Sequence, residues 1–121
     1  MDLPTESLKD LMASWRQDFH QHPELGFKEV RTSGIVSQLL KSFGLKVFEN
    51  FGKTGVLGLL EKNKNKKLIA IRADMDALPI TEQTSLPYES KYPGSMHACG
   101  HDGHTSILLG AAKFLSEDKE F

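Results

Sequence analysis

The apolar residues of this chain change their spacing at Gly44. Before it, Leu8, Leu11, Met12, Trp15 and Phe19 recur at helical intervals, and Ile35, Val36, Leu39, Leu40 and Phe43 repeat the pattern, so each set predicts one face of a helix. Pro23, in "HPELG", disfavours helix at the residue before it and predicts where the first helix ends. Gly44 stands where a left-handed C-terminal cap of the second helix would fall. After it, "KVFENF" (46–51), "GVLGLLE" (55–61) and "KLIAIRAD" (67–74) read as strands. The Asn/Lys segment 62–66 predicts a hairpin between the last two, and the unbroken "LIAI" predicts a central strand buried on both faces. Residues 77–98 carry Pro79, Pro87 and Pro93 with little periodicity, which predicts a long ordered loop of a kind that usually serves function. His104, Ile107, Leu108, Ala111 and Leu115 form a third helical stripe. The expected order is α-α-β-β-β-loop-α, an α/β or α+β arrangement with a mixed sheet and flanking helices.

At 121 residues, the chain is one small domain at most, large enough to bury a core. Its 39% hydrophobic and 26% charged residues are ordinary for a globular protein, and its net charge of −1 with interspersed signs argues against a nucleic-acid-binding surface. The one basic cluster, "KNKNKK" (62–67), reads as a solvated turn. No apolar stretch approaches the roughly 20 residues of a membrane span. "MDLPTESLKD" lacks the basic start and apolar run of a signal peptide. A single cysteine excludes an internal disulfide and suits a reducing compartment, so a cytoplasmic location is expected.

Two clusters concentrate potential chemistry. In "RADMDALP" (72–79), Asp74 and Asp76 lie at the carboxyl end of an expected buried strand, where sites in such sheets tend to form. Two residues apart in extended chain, they would point the same way, and they serve equally well as functional groups or as braces for the following turn. In "HACGHDGHT" (97–105), Cys99 and His101 are also two apart, a spacing that lets a short turn offer thiolate and imidazole to one divalent ion. That donor pair suits zinc. Manganese, cobalt or nickel become compatible when carboxylates complete the set. A helix N-terminus behind would stabilise the thiolate, Asp102 would orient a histidine, and Gly100 and Gly103 would allow tight turns. The competing readings are an ordinary surface loop and a Cys–His nucleophilic hydrolase, whose base would have to be His20 or His22. A third segment, "HQHPELGFKE" (20–29), reads more simply as a helix end with histidines in its last turn.

Taken together, "HQHPELGFKE", "GKTGVLG", "IRADMDALPITEQTSLPYES" and "MHACGHDGHTSILLGAAKFL" resemble the amidohydrolase branch of the metal-dependent aminoacylase and carboxypeptidase superfamily, in order from about Trp15 to Leu115. The resemblance implies a partial zinc-peptidase-like α/β catalytic domain that hydrolyses the amide bond of N-acyl amino acids. It implies that Cys99 and His101 are metal ligands and Asp76 is catalytic, with Asp74, Asp102 and His104 in supporting roles. In related branches a ligand histidine stands at the position of Asp74, so a direct role on metal for Asp74 does not carry over. The implied chemistry is a water activated by one or two metal ions, zinc or manganese before cobalt or nickel, with a glutamate as general base.

Family enzymes continue past the "LLGAAKFL" helix into a strand, a block with two adjacent glutamates, further histidine ligands and an inserted dimerisation domain. No Glu-Glu pair and no histidine after His104 occur in this sequence. Residues 1–121 are therefore expected to be the N-terminal part of one catalytic domain, with an incomplete metal site and no activity alone. The alternative from a different class is a non-catalytic remnant that binds metal or pairs with a protein. An uncovered sheet would in either case favour homo-oligomers.

Overall fold

The computed structural model describes residues 6–62 and 67–118. Helix α1 spans Glu6–Gln21 and α2 Val30–Ser42; strands β1 (Lys46–Phe51) and β2 (Gly55–Leu59) follow, and α3 spans His101–Glu117. The α/β class expected from the sequence is the class observed. Helix α1 stops at Gln21, two residues before Pro23, as the restriction on His22 requires.

Both ends of α2 are closed by identifiable bonds. At its C-terminus Gly44 adopts φ +84°, its N–H donates to the Lys41 carbonyl, and the Leu45 N–H donates to the Leu40 carbonyl. This is the Schellman pattern, and it occurs at the glycine where the periodicity changes. At its N-terminus the capping group comes from upstream. Glu24 Oε1 accepts from the Thr32 N–H and hydroxyl, each at 2.7 Å, and Oε2 accepts from the Arg31 N–H at 2.9 Å. A carboxylate there meets both the unpaired amides and the positive end of the helix dipole.

Strands β1 and β2 form an antiparallel hairpin with Val47 opposite Gly58 and Phe48 opposite Leu57. The hairpin lies on the end of α2 because Gly58 leaves room: a Cβ there would sit 3.0 Å from Leu45 Cδ2 and 3.1 Å from Leu40 Cδ1. Phe19, Val36, Leu40 and Leu109 form the buried core, with Trp15, Phe43 and Met75 packed around it.

The third strand expected at 67–74 is not formed. The only sheet among the described residues has two antiparallel strands, so it is not mixed, and β2 ends at Leu59 rather than 61. Leu68, Ile69 and Ile71 are 84%, 87% and 61% exposed, the reverse of a central strand. An apolar run supplies side chains for a sheet interior, but a ladder also needs a neighbour to exchange hydrogen bonds with. Among the described residues no strand pairs with 67–74. Residues 63–66 of the expected hairpin turn lie outside the described residues.

From Asp74 onward the chain is tied down again. Thr105 Oγ1 donates to the Asp74 carbonyl at 3.1 Å, and the Ala77 N–H to the Glu24 carbonyl at 2.8 Å. The loop 77–98 is ordered, as expected. Leu78 and Met96 exchange backbone hydrogen bonds, the Lys91 N–H reaches the Gln21 carbonyl, and Ser95 Oγ reaches the Pro23 carbonyl. The loop thus folds onto the C-terminal end of α1 and delivers residues 97–101 beside Asp76.

Helix α3 buries the stripe expected of it only in part, with Leu108, Ala111 and Leu115 half-buried and His104 exposed. Its buried residues are Asp102, Thr105, Ser106, Leu109 and Gly110, while Ile107 is 60% exposed. Gly110 abuts the Met12 side chain of α1, so the small residues on this face let the two helices approach closely.

Candidate functional site

The motif at 97–105 turns into a helix at Gly100, which has φ +81° and stands immediately before α3. Glycine accepts that left-handed conformation without strain. Gly103 lies inside the helix and needs no such freedom. Cys99 is therefore an exposed thiol just ahead of a helix N-terminus, a position where the dipole favours the thiolate.

His101, the first residue of α3, reaches the strand-end motif. Its Nδ1 lies 3.0 Å from Asp76 Oδ1 and 3.0 Å from the Asp76 carbonyl oxygen. Both partners only accept, so Nδ1 carries the hydrogen and the Nε2 lone pair is the free one. The imidazole side chain is 17% exposed.

The Asp74 side chain does not join this pair. Its carboxylate is exposed and takes two hydrogen bonds from Arg72, at 2.9 Å and 2.7 Å. The Arg72 guanidinium holds the Asp74 carboxyl below the usual carboxylate range. Asp74 supports α3 through its main chain instead, by accepting from Thr105.

Asp102 turns the opposite way from His101 and is 1% exposed. Its Oδ2 accepts from Arg16 Nε at 2.8 Å and from His20 Nδ1 at 2.7 Å. His20 Nε2 in turn lies 3.0 Å from Glu82 Oε1, and Glu82 Oε2 accepts from the Ser90 N–H at 2.7 Å. Arg16 also donates to Tyr88 Oη at 3.2 Å and lies 5.2 Å from the centre of its ring. Asp102 therefore does orient a histidine, but that histidine is His20, from the segment read as a helix end. His20 occupies the last turn of α1 as read, and it also crosses to the motif. Both of its ring nitrogens face carboxylates, and His22 Nδ1 donates to the Asp18 carbonyl at 2.8 Å. The two histidines available as bases for a Cys99 nucleophile are thus engaged elsewhere.

His97 is 4% exposed, and neither ring nitrogen has a protein partner. Burial pushes its pKa below the ordinary 6.5, outweighing the nearby negative charge of Asp102. His104 is exposed, its ring 5.8 Å from that of His101. Among the described residues no three His, Cys, Asp or Glu side chains converge as a metal cage.

Arg16 and Glu82 were not among the residues singled out from sequence. Arg16 and His20 are four apart, a spacing that places both on one helix face beside the apolar stripe. Glu82 had no such signal, because its place in an aperiodic loop says nothing about where its side chain goes.

Residues 70–121 match the model of peptidase family M20/M25/M40, and most of the chain is similar to hydrolases and to solved structures of that kind. The chain is 57% identical over 101 residues to the hippurate hydrolase of Campylobacter jejuni, an alignment covering 84% of this chain and 26% of that enzyme. It is 46% identical over 112 residues to the N-acyl-L-amino acid amidohydrolase of Geobacillus stearothermophilus, covering 93% of this chain and 30% of the relative. The crystal structure of Bacillus subtilis YXEP, described as a dinuclear metal binding peptidase of the M20 family, superposes with a TM-score of 0.89 at 41% identity, covering 94% of this chain and 32% of that one. The chain thus spans about a third or less of the relatives it matches. Among the described residues, no helix is long and apolar enough to cross a membrane.

Proposed function

We propose that this chain forms part of the catalytic centre of a metal-dependent amidohydrolase acting on N-acyl amino acids, with Cys99 and His101 as two of its ligands. The observation that carries the reading is the double acceptor on His101 Nδ1. Asp76 fixes the ring, its tautomer and the direction of Nε2, as partners of metal-binding histidines do. The donor set fits the group: an exposed thiol at a helix N-terminus, an imidazole with its far nitrogen free, and a buried neighbour, His97, with no protein partner. Thiolate and imidazole favour zinc, and manganese, cobalt or nickel fit if carboxylates complete the set. When bound, the ion supplies Lewis acidity toward a scissile carbonyl and a water.

Each residue then has a task. Asp76 orients His101 and places negative charge behind the imidazole, which strengthens it as a donor. Asp102 anchors the first turn of α3 from the opposite side. Asp74 and His104 support from the rim, Asp74 through its carbonyl. Two ligands are fewer than the four of a typical zinc site. The remaining ligands and the general base are contributed by residues outside these 121, which we read as the N-terminal part of one catalytic domain, inactive alone. A reducing, cytoplasmic setting suits the Cys99 thiol. The exposed Leu68, Ile69 and Ile71 favour a second reading, in which this face pairs with another copy or another protein.

Cobalt(II) titration of the chain tests the assignment. A thiolate-to-cobalt charge-transfer band is expected, and it should vanish in Cys99→Ser and weaken in Asp76→Ala. N-acyl amino acids should not be hydrolysed by the chain alone. Turnover that resists a chelator and needs Cys99 would instead establish a nucleophilic cysteine.

A further inference from the structure

We infer that His20 and Glu82 are positioning residues for the Cys99–His101 pair, acting through Asp102. This rests on the metal-ligand reading above. Asp102 directly follows His101 at the start of α3 and is three residues from Cys99. Its carboxylate is the point where α1 and the 77–98 loop take hold of that helix turn. Arg16 and His20 bind Oδ2 from α1, and Glu82 grips the far nitrogen of His20 from the loop. Glu82 is itself fixed by the Thr84 hydroxyl and the Ser90 N–H. His20 and Glu82 have 4% and 2% of their side chains exposed, so this is an interior ladder of polar and ionisable groups.

Such a ladder is a poor source of net stability, since desolvating its members offsets most of their mutual attraction. What it supplies is direction. Elsewhere the helices meet through apolar groups, with Gly110 against the flexible Met12 side chain and Phe19 and Leu109 in the shared core. Apolar contacts of this kind are non-directional and set no particular orientation of a side chain. Asp102 does set one, because its carboxylate meets the donors Arg16 Nε and His20 Nδ1. Rotation of that turn would carry His101 off Asp76 and shift Cys99 with it.

Cobalt(II) titration of the 121-residue chain, read by the thiolate-to-cobalt band and paired with a thermal melt, tests this. Glu82→Gln and His20→Asn should each weaken cobalt binding roughly 10–100-fold, the range seen when outer partners of ligands are lost. The double variant should lose little more than either single one, because both residues act through one carboxylate. Val36→Ala, in the core away from the ladder, is the control: it should lower the melting temperature and leave cobalt affinity unchanged. If His20→Asn does not fold, Glu82→Gln carries the test, since Glu82 sits on a loop and keeps its shape as glutamine. Variants that melt earlier but bind cobalt like the parent would show a purely structural ladder and overturn the proposal. A parent chain with no thiolate band would overturn the ligand reading itself and this proposal with it.

Discussion

The two long faces of α3 present a contrast. Asp102, Thr105, Ser106, Leu109 and Gly110 are buried, yet Leu109 is the only large apolar residue among them. His104, Ile107, Leu108, Ala111 and Leu115 lie roughly 200° round the helix and form the more apolar stripe, but Ile107 is 60% exposed and His104 is open to solvent. The polar face is buried with most of its polar groups bonded inside the molecule, Asp102 Oδ1 being the exception. Asp102 joins Arg16 and His20, Thr105 caps the Asp74 carbonyl, and Ser106 bonds back to the Asp102 carbonyl. Burial in this helix follows hydrogen-bond satisfaction, and apolar content alone points to the other side.

The largest effect should come from Asp102→Ala. It strands the buried His20 Nδ1 and takes a partner from the half-exposed Arg16, and loss of one member of a buried ion pair costs about 3–5 kcal/mol. Urea unfolding should show a lower midpoint at unchanged slope, and a change under about 1 kcal/mol would mean that the buried polar face is not what holds α3. Leu109→Ala comes next, at about 2–3 kcal/mol. If Leu109→Ala cost more than Asp102→Ala in the same assay, the contrast between the faces would reverse.

Acid should reveal the same ladder from its loop end. Burial alone would raise the Glu82 carboxyl, but hydrogen bonds from Thr84, His20 and the Ser90 N–H hold it below its ordinary 4.5. A carboxyl depressed in the folded state stabilises above its unfolded pKa, and this stabilisation is lost as pH falls through the folded pKa. Stability should therefore decline below about pH 4.5, and the decline should be shallower in Glu82→Gln. Parallel pH profiles for the two proteins would remove Glu82 from the account.

What could be read from the sequence depended on whether the signal was local. The ends of α1 and α2 were legible because Pro23 and Gly44 act on their own backbone. The Asp76–His101 contact joins two motifs singled out separately, though nothing in either one specified the partner. The strand expected at 67–74 failed because strand pairing belongs to two segments, and one segment's composition describes only its half. Asp102 was expected to orient a histidine and does so, but its partner lies 82 positions upstream in α1. Spacing cannot reveal such a pair, since it is closed by the tertiary fold.

The smallest expected effect bears most directly on the bare face. Ile107→Ala removes a large apolar side chain from the stripe that periodicity marks as interior, and a buried isoleucine at such a site would cost about 2–5 kcal/mol. With Ile107 60% exposed, little apolar surface returns to water when it is cut back, and the change in unfolding free energy should stay within about 0.5 kcal/mol. The comparison sharpens with concentration. If a second copy covers this face, Ile107→Ala should leave dilute samples unchanged and weaken self-association in sedimentation at higher concentration. A loss of several kcal/mol in dilute monomer would instead mean that Ile107 is buried there and that the two faces of α3 are not as different as the structure makes them.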